Sequence, residues 1–122
     1  MSDRADQIQQ ILQELVNGIL DLEGAAMVTT DGLTLASALP NGSDEDRVSA
    51  MAAAILSMGE RTAAELKRGT LEQVIVKGNG GYVVLMQAGP ESVLEAISGS
   101  AAKLGMVLLD MKRAAAELSR LV

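Results

Sequence analysis

Three short stretches of the sequence contain residue types and spacings that could support chemistry. Residues 78–81, Gly-Asn-Gly-Gly, form the kind of glycine cluster whose backbone N–H groups can hold a phosphate. Ser100 and Lys103 have the S-x-x-K spacing of a serine nucleophile that a lysine activates. Residues 44–46, Asp-Glu-Asp, place three carboxylates side by side and could bind a metal ion. Phosphate binding, acyl transfer and metal binding are therefore the activities to weigh against the rest of the sequence.

The surroundings of each stretch favour a structural interpretation instead. The glycine cluster is followed by a strand pattern and lacks both G-x-G-x-x-G and a Walker lysine motif, so it predicts a hairpin turn. Ser100 stands before a helical pattern, where Ser is a common N-cap. The carboxylates at 44–46 begin another helical pattern and complement its positive end, with Ser43 as the predicted N-cap. No catalytic residue is therefore predicted, although carboxylates brought together by folding, or Ser100 with Lys103, stay open as an enzyme alternative.

The composition argues against several classes of function. The chain has no His and no Cys, which removes the commonest general base, the commonest metal ligand and any thiol nucleophile. Its formal net charge is −6, which opposes binding to nucleic acid. No apolar run approaches the roughly 18 residues that span a bilayer. We therefore expect a cytoplasmic protein with no enzymatic activity, no cofactor, no bound metal, no nucleic-acid ligand and no membrane insertion.

Hydrophobic periodicity predicts an α+β domain that occupies residues 1–122. The turn signals Asp31-Gly32 and Asn79-Gly80-Gly81 each lie between two apolar runs and predict two hairpins, the first with a type I′ turn. The later strand of the second hairpin is apolar at consecutive positions, so helices should cover both faces of the sheet. The predicted order is helix, strand, strand, helix, strand, strand, strand, helix. The helices are predicted over residues 3–20, 44–67 and 101–122, and the fifth strand over residues 92–98.

The helix at 44–67 has apolar or small residues on nearly every side. One side of this helix is predicted to face the core, and the opposite side, which begins with Ser49, is rich in Ala and Ser. The predicted core stripe contains Val48, Met51, Ala52, Ile55, Gly59, Thr62, Ala63 and Leu66. Small residues permit close approach of another helix, and the simplest partner is the same helix of a second copy. The alternative is that Ala occupies exposed positions because it is the best helix former. We predict a homodimer with this interface on the helix: Ala50, Ala53, Ala54, Ser57, Arg61 and Ala64.

Four segments, considered together, resemble a known family. They are EGAAMVTTDGLTLASAL, AAAILSMGERTAAEL, QVIVKGNGGYVVLMQAG and LGMVLLDMKRAAAEL. Their order and pattern resemble the roadblock (dynein light chain) family, and in particular its small bacterial members of the MglB type. The resemblance covers residues 8–121, and Gly24-Ala25 with the Asp31-Gly32 turn are its most specific parts.

The resemblance implies a particular architecture and assembly. It implies a profilin-like or longin-like fold, in which a five-stranded antiparallel sheet carries the central helix on one face and the terminal helices on the other. It also implies a homodimer in which the central helices pair and the sheets join edge to edge through the strand at 71–77. Glu72, Val74 and Val76 are the edge residues that this dimer would use.

The resemblance also implies a role without catalytic residues or cofactors. Such proteins bind a Ras-like small GTPase and modulate its nucleotide cycle, either by activating GTP hydrolysis or by altering nucleotide exchange. Arg47, Met58 and Arg68 are the candidate GTPase contacts, although solvated charge is the simpler explanation for the arginines. The alternative function is a dimeric scaffold or light-chain-type adaptor subunit with no effect on GTP turnover.

Overall fold

The structure, a computed structural model, describes residues 3–122, which form three helices and a five-stranded antiparallel sheet. In chain order the elements are α1 (Arg4–Gly18), β1 (Leu22–Thr29), β2 (Thr34–Ala38), α2 (Glu45–Glu65), β3 (Val74–Gly78), β4 (Gly81–Gln87), β5 (Ser92–Gly99) and α3 (Leu104–Ser119). The strands lie side by side as β2-β1-β5-β4-β3, so β2 and β3 are the two edges. The predicted fold class and element order are confirmed.

Different helices cover the two faces of the sheet. Residues of α1 and α3 form one apolar cluster with the sheet, and residues of α2 form a second cluster on the other face. Along β4, Val84 and Met86 belong to the first cluster, whereas Leu85 belongs to the second. Because side chains alternate along a strand, a strand buried on both faces must be apolar at successive positions. The prediction that helices cover both faces is therefore confirmed.

The central helix α2 crosses the sheet from one edge strand to the other. Near its start, the Ser37 hydroxyl on β2 donates a hydrogen bond to the Glu45 carboxylate. Further along the helix, Gly59 lies against β3, where a Cβ on this glycine would come within 2.9 Å of Val74 Cγ2. The part of α2 from Glu45 to Gly59 therefore passes over all five strands, and the middle of this part lies above the centre of the sheet.

Both predicted hairpins are present, but the first turn differs in detail from the predicted type I′ turn. The Thr29 N–H donates to the Leu33 carbonyl at 2.8 Å, so the loop contains residues 30–32. Of these three, Gly32 alone has a left-handed backbone, with φ of 91°. A type I′ turn needs positive φ at both central residues, and a three-residue loop needs it at one.

The predicted ends of α2 and α3 need correction. Asp44 is the N-cap of α2 and accepts from the Arg47 N–H at 3.2 Å, whereas the Ser43 hydroxyl donates to the Pro40 carbonyl. The helix ends at Glu65, before Lys67, which itself takes a left-handed backbone with φ of 57°. The N-cap of α3 is Lys103 and not Ser100, and its side chain makes no capping hydrogen bond within the described chain. Two capping residues in succession made the start of α2 ambiguous from sequence.

Gly81 provides a test of backbone packing at the start of β4. Its φ is 145°, and a Cβ there would overlap the Ser98 carbonyl oxygen of β5. We expect Gly81→Ala to lower the free energy of unfolding by about 2–4 kcal/mol, because backbone atoms cannot move aside as a flexible side chain can. The measurement is urea unfolding followed by circular dichroism.

Gly80→Ala is the matched control for this experiment. Gly80 is the next residue along the chain, and a Cβ there would meet nothing within 4 Å. We expect it to change stability by less than about 1 kcal/mol. Equal unfolding midpoints for the two variants would contradict the close approach of β4 to β5.

Candidate functional site

The stretches that could have supported chemistry take structural roles. Residues 78–81 form the turn between β3 and β4, with Gly78 paired to Gly81, which confirms the predicted hairpin. Ser100 is exposed in the turn before α3. Among residues 3–122, no three His, Cys, Asp or Glu side chains cluster closely enough to hold a metal ion. The helices of the same residues are too short or too polar to cross a membrane.

The side of α2 that faces the sheet differs in part from the predicted one: Ala52 and Gly59 face the sheet as predicted, but other members of the stripe do not. Met51 and Leu66 are 51% and 64% exposed, so their predicted place in the core is wrong. Ser49, predicted to face outward, is buried, and its hydroxyl pairs with the Thr34 hydroxyl at 2.5 Å. Small side chains let α2 approach the sheet closely and displace the longer apolar side chains to its flank. The buried residues of α2 are Ser49, Ala52 and Leu56.

One flank of α2 faces loops of its own chain. Gly32, in the β1–β2 loop, lies against Ala50 and Ala53: a Cβ built on it would be 3.4 Å from Ala50 Cα and 3.7 Å from Ala53 Cβ. Further along this flank, Glu60 lines a small groove with Gln87. Ala53 is half-buried, and the other predicted interface residues of α2 are exposed: Ala50, Ala54, Ser57, Arg61 and Ala64.

The opposite flank of α2 carries larger apolar side chains at helical spacing. Met51 and Met58 are 51% and 63% exposed, and Ile55 between them is half-buried. Residues separated by four and then three positions lie along one side of a helix. These three side chains therefore form an apolar wall beside the sheet.

The sheet beside this wall is incompletely covered. Val76, Val83 and Ile97 lie opposite one another on β3, β4 and β5 and share the face that α2 covers. Val76 is 45% exposed, and the other two are half-buried. We call the wall and this floor the apolar trough; its residues are Met51, Ile55, Met58, Val76, Val83 and Ile97. The trough runs alongside α2 to the β3 edge.

The two edges of the sheet differ in how open they are. At the β2 edge, the Gln9 side chain of α1 donates to the Ser37 carbonyl at 2.7 Å, and the pairing of β1 with β2 is interrupted by a register shift. The β3 edge instead presents exposed Ile75 and Val76. Of the predicted edge residues, Val74 and Val76 lie in β3, whereas Glu72 precedes it. β3 is therefore the better edge for pairing with another strand.

The three predicted GTPase contacts do not form one cluster. Arg47 lies in the first turn of α2 and Met58 near its middle, about 16 Å further along at 1.5 Å per residue. Arg68 lies beyond the end of the helix, where its Nε donates to the Leu66 carbonyl at 3.0 Å. All three side chains are exposed. A single small ligand could not contact all three, but a protein surface could.

Sequence reasoning missed a buried carboxyl group in the middle of the sheet. Glu95 is 5% exposed and lies on the central strand β5, between Ala26 of β1 and Leu85 of β4. Its Oε1 is fully buried and has no hydrogen-bond partner among residues 3–122. Burial raises the pKa of this carboxyl to about 7. The available signal was a Glu within the apolar strand pattern SVLEAIS, at a position that alternation places beneath α2.

Most of the chain matches one known protein family. Residues 8–98 match the model of the Roadblock/LC7 domain. The chain belongs to the Roadblock/LC7 family. An uncharacterized protein of Methanocaldococcus jannaschii is 40% identical over 91% of this chain and 96% of its own length. The family predicted from the sequence segments is therefore confirmed.

Solved structures share the Roadblock/LC7 fold of this chain. MglB of Thermus thermophilus, described as a gliding protein, superposes with a TM-score of 0.89 at 20% identity, covering 99% of this chain and 92% of that one. A profilin of Acanthamoeba castellanii superposes with a TM-score of 0.65 at 13% identity, covering 92% and 96%. The predicted profilin-like roadblock fold is confirmed by these similarities.

We expect Glu95 to make the stability of this Roadblock/LC7 domain depend on pH. Its pKa is about 7 in the folded chain against an ordinary 4.5, so the folded state binds more protons between these values. We expect the free energy of unfolding to fall as pH rises from about 4.5 through 7, by on the order of 3 kcal/mol. Glu95→Gln should lack this component of the pH dependence, as measured by urea unfolding at pH 5 and pH 8.

Glu91→Gln serves as the control, because Glu91 is exposed beside the same strand. This variant should keep the pH dependence of the parent chain. An equally steep fall in unfolding free energy for Glu95→Gln would show that other groups cause it.

Proposed function

We propose that this protein is a non-catalytic, homodimeric regulator that binds a Ras-like small GTPase and modulates its nucleotide cycle. The observation that supports the proposal concerns α2, the central helix of this Roadblock/LC7 chain. One flank of α2 is apolar, its outer side is polar, and both are exposed to solvent. One side suits a second copy, and the other suits a GTPase. A single domain over residues 1–122 and a cytoplasmic location are parts of the same proposal.

The dimer is proposed to form through the apolar trough and the β3 edge. In this arrangement the α2 helix of one copy lies in the trough of the other, and the two β3 strands run side by side. Burial of Met51, Met58 and Val76 would supply the favourable free energy, at about 25 cal/mol per Å² of apolar surface. Its exposed large apolar side chains favour the trough over the helix interface predicted from sequence, in which Ala53 already faces its own chain. We call that predicted interface the small-residue strip; it consists of Ala50, Ala53, Ala54, Ser57, Arg61 and Ala64.

The GTPase is proposed to contact the outer side of α2. Arg47, Ala54 and Arg61 are exposed and spaced seven residues apart, which places them in one row along the helix, about 10 Å between neighbours. Two paired helices would present two such rows. A regulator without catalytic residues can act by ordering the switch loops and the catalytic groups that the GTPase already has.

Two adjacent residues of α2 distinguish the trough from the small-residue strip as the dimer interface. Ser57 and Met58 are both exposed but lie on opposite flanks. We expect Met58→Glu to weaken the dimer roughly 100-fold or more, because it would bury a carboxylate without a partner, and Ser57→Glu to leave it nearly unchanged. Sedimentation velocity across a concentration series measures both. The reverse result would place the interface on the strip predicted from sequence.

GTPase binding is tested with the Ras-like protein encoded nearest to this chain, loaded with GDP or with a non-hydrolysable GTP analogue. We expect co-elution in at least one nucleotide state and an altered rate of GTP hydrolysis or nucleotide exchange. Arg61→Ala should reduce this effect while the dimer persists, because the guanidinium lies on the outer side of α2. The control is Arg113→Ala, on α3 at the other face of the sheet.

Two outcomes would change this assignment. No binding in either nucleotide state at tens of micromolar would contradict the proposed partner. Binding with unchanged hydrolysis and exchange would favour the alternative of a dimeric scaffold.

A further inference from the structure

Glu95 lies beneath the middle of α2. Its cross-strand neighbours are Ala26 on β1 and Leu85 on β4. Ala26 is paired in turn with Ser37 on β2, and Leu85 with Val74 on β3, so these five residues form one row across the sheet. The two outer residues, Ser37 and Val74, contact α2 at Glu45 and at Gly59, respectively. Ala52, which is fully buried and midway between those two helix positions, therefore lies above the Glu95 carboxyl. An alanine at this point leaves room for a side chain below it.

No charged partner faces this carboxyl from any element of the described chain. The charged residues of α2 are all exposed, including Glu60 and Arg61. On β2, the hydroxyls of Thr34 and Ser37 bond to Ser49 and Glu45 of α2, respectively. Residues that share this face of the sheet on β1, β3, β4 and β5 are uncharged: Ala26, Val28, Val74, Val76, Val83, Leu85, Gln87, Val93 and Ile97.

Solvent can approach the Glu95 side chain from one direction. Ala26, Leu85 and Val93, which surround it on three sides, have no exposed surface. Ile97, the next residue of β5 on the same face, is half-buried and forms part of the floor of the apolar trough. The 5% of Glu95 that stays exposed is therefore reached from the trough.

We propose that occupation of the apolar trough by a second copy is coupled to proton uptake by the Glu95 carboxyl, so that the dimer weakens as pH rises through neutrality. The inference rests on the proposed dimer. A helix seated in the trough removes the last water near the group, which disfavours the carboxylate more than the neutral acid. The carboxyl takes one proton from solvent on each chain, and no other bond changes.

The sign and size of the effect follow from linkage. The separate chain already has a Glu95 pKa raised to about 7 by burial, and the dimer raises it further. Between these two values the dimer binds more protons than two separate chains, so its dissociation constant rises with pH. With one such group on each chain, the dissociation constant can rise up to about 100-fold per pH unit within that interval.

The first experiment measures the dimer dissociation constant at pH 6 and pH 8.5 by sedimentation equilibrium, for the parent chain, Glu95→Gln and Glu91→Gln. The parent and Glu91→Gln should show a rise of at least tenfold between the two pH values. Glu95→Gln, nearly the same size as the parent side chain but unable to ionise, should change less than threefold. A parent constant that does not depend on pH, or an equal rise in Glu95→Gln, would overturn the proton coupling.

A second measurement does not depend on the folding of a Glu95 variant. Carboxyl ¹³C chemical shifts of glutamate-labelled parent protein give the pKa of Glu95 in the dimer and in the separate chain, at protein concentrations well above and well below the dimer dissociation constant. The pKa should be higher in the dimer by about one unit or more, and equal values would overturn the inference. A parent chain that stays monomeric at both pH values would instead overturn the proposed dimer, and the coupling with it.

Discussion

The close approach of α2 to the sheet is the constraint on which the rest of this structure depends. Ser49, Ala52 and Gly59 form the contact, and a Cβ on Gly59 would crowd Val74. The small residues at these points bring the helix close to the sheet, and of its long apolar side chains Leu56 is buried beneath it, whereas Met51 and Met58 lie exposed on its flank. The same seating leaves part of the sheet uncovered beside that flank. The apolar trough is therefore a direct result of small residues under the helix.

The two faces of the sheet are covered by different helices and are buried to different extents. On one face, α1 and α3 together form an extensive apolar core with the strands. On the other, the single helix α2 shares a much smaller buried cluster that includes Leu85 and Val93. One helix laid across five strands cannot cover them from end to end, because a helix is only about 10 Å wide. The side of the sheet under α2 is thus where both the open apolar surface and the buried carboxyl of Glu95 occur.

Element order and the two hairpin pairings were predictable from sequence, because glycine-containing turns and strand or helix periodicity agree along the whole chain. The rotation of α2 was not. Hydrophobicity favours Met51 over Ser49 for the core, but close packing and the hydroxyl pair with Thr34 reverse this order. Glu95 also escaped notice, since a single charged residue in a strand is usually solvated, and its burial depends on what covers the strand. Candidate interface residues on α2 could be predicted from sequence, but the structure was needed to decide which flank of the helix is the better interface.

The hydrogen bond from Gln9 to the Ser37 carbonyl bears on how far an assembly of this chain can grow. A sheet with two open edges can add strands without limit, which is the route to fibres. Here α1 places a side chain on one edge and leaves the other free. A symmetric dimer joined through β3 would pair the two free β3 edges with each other. Only the two β2 edges, each blocked by a Gln9 side chain, would then face outward. In the proposed dimer, growth would stop at two chains, and the Gln9 side chain would help to keep the association finite.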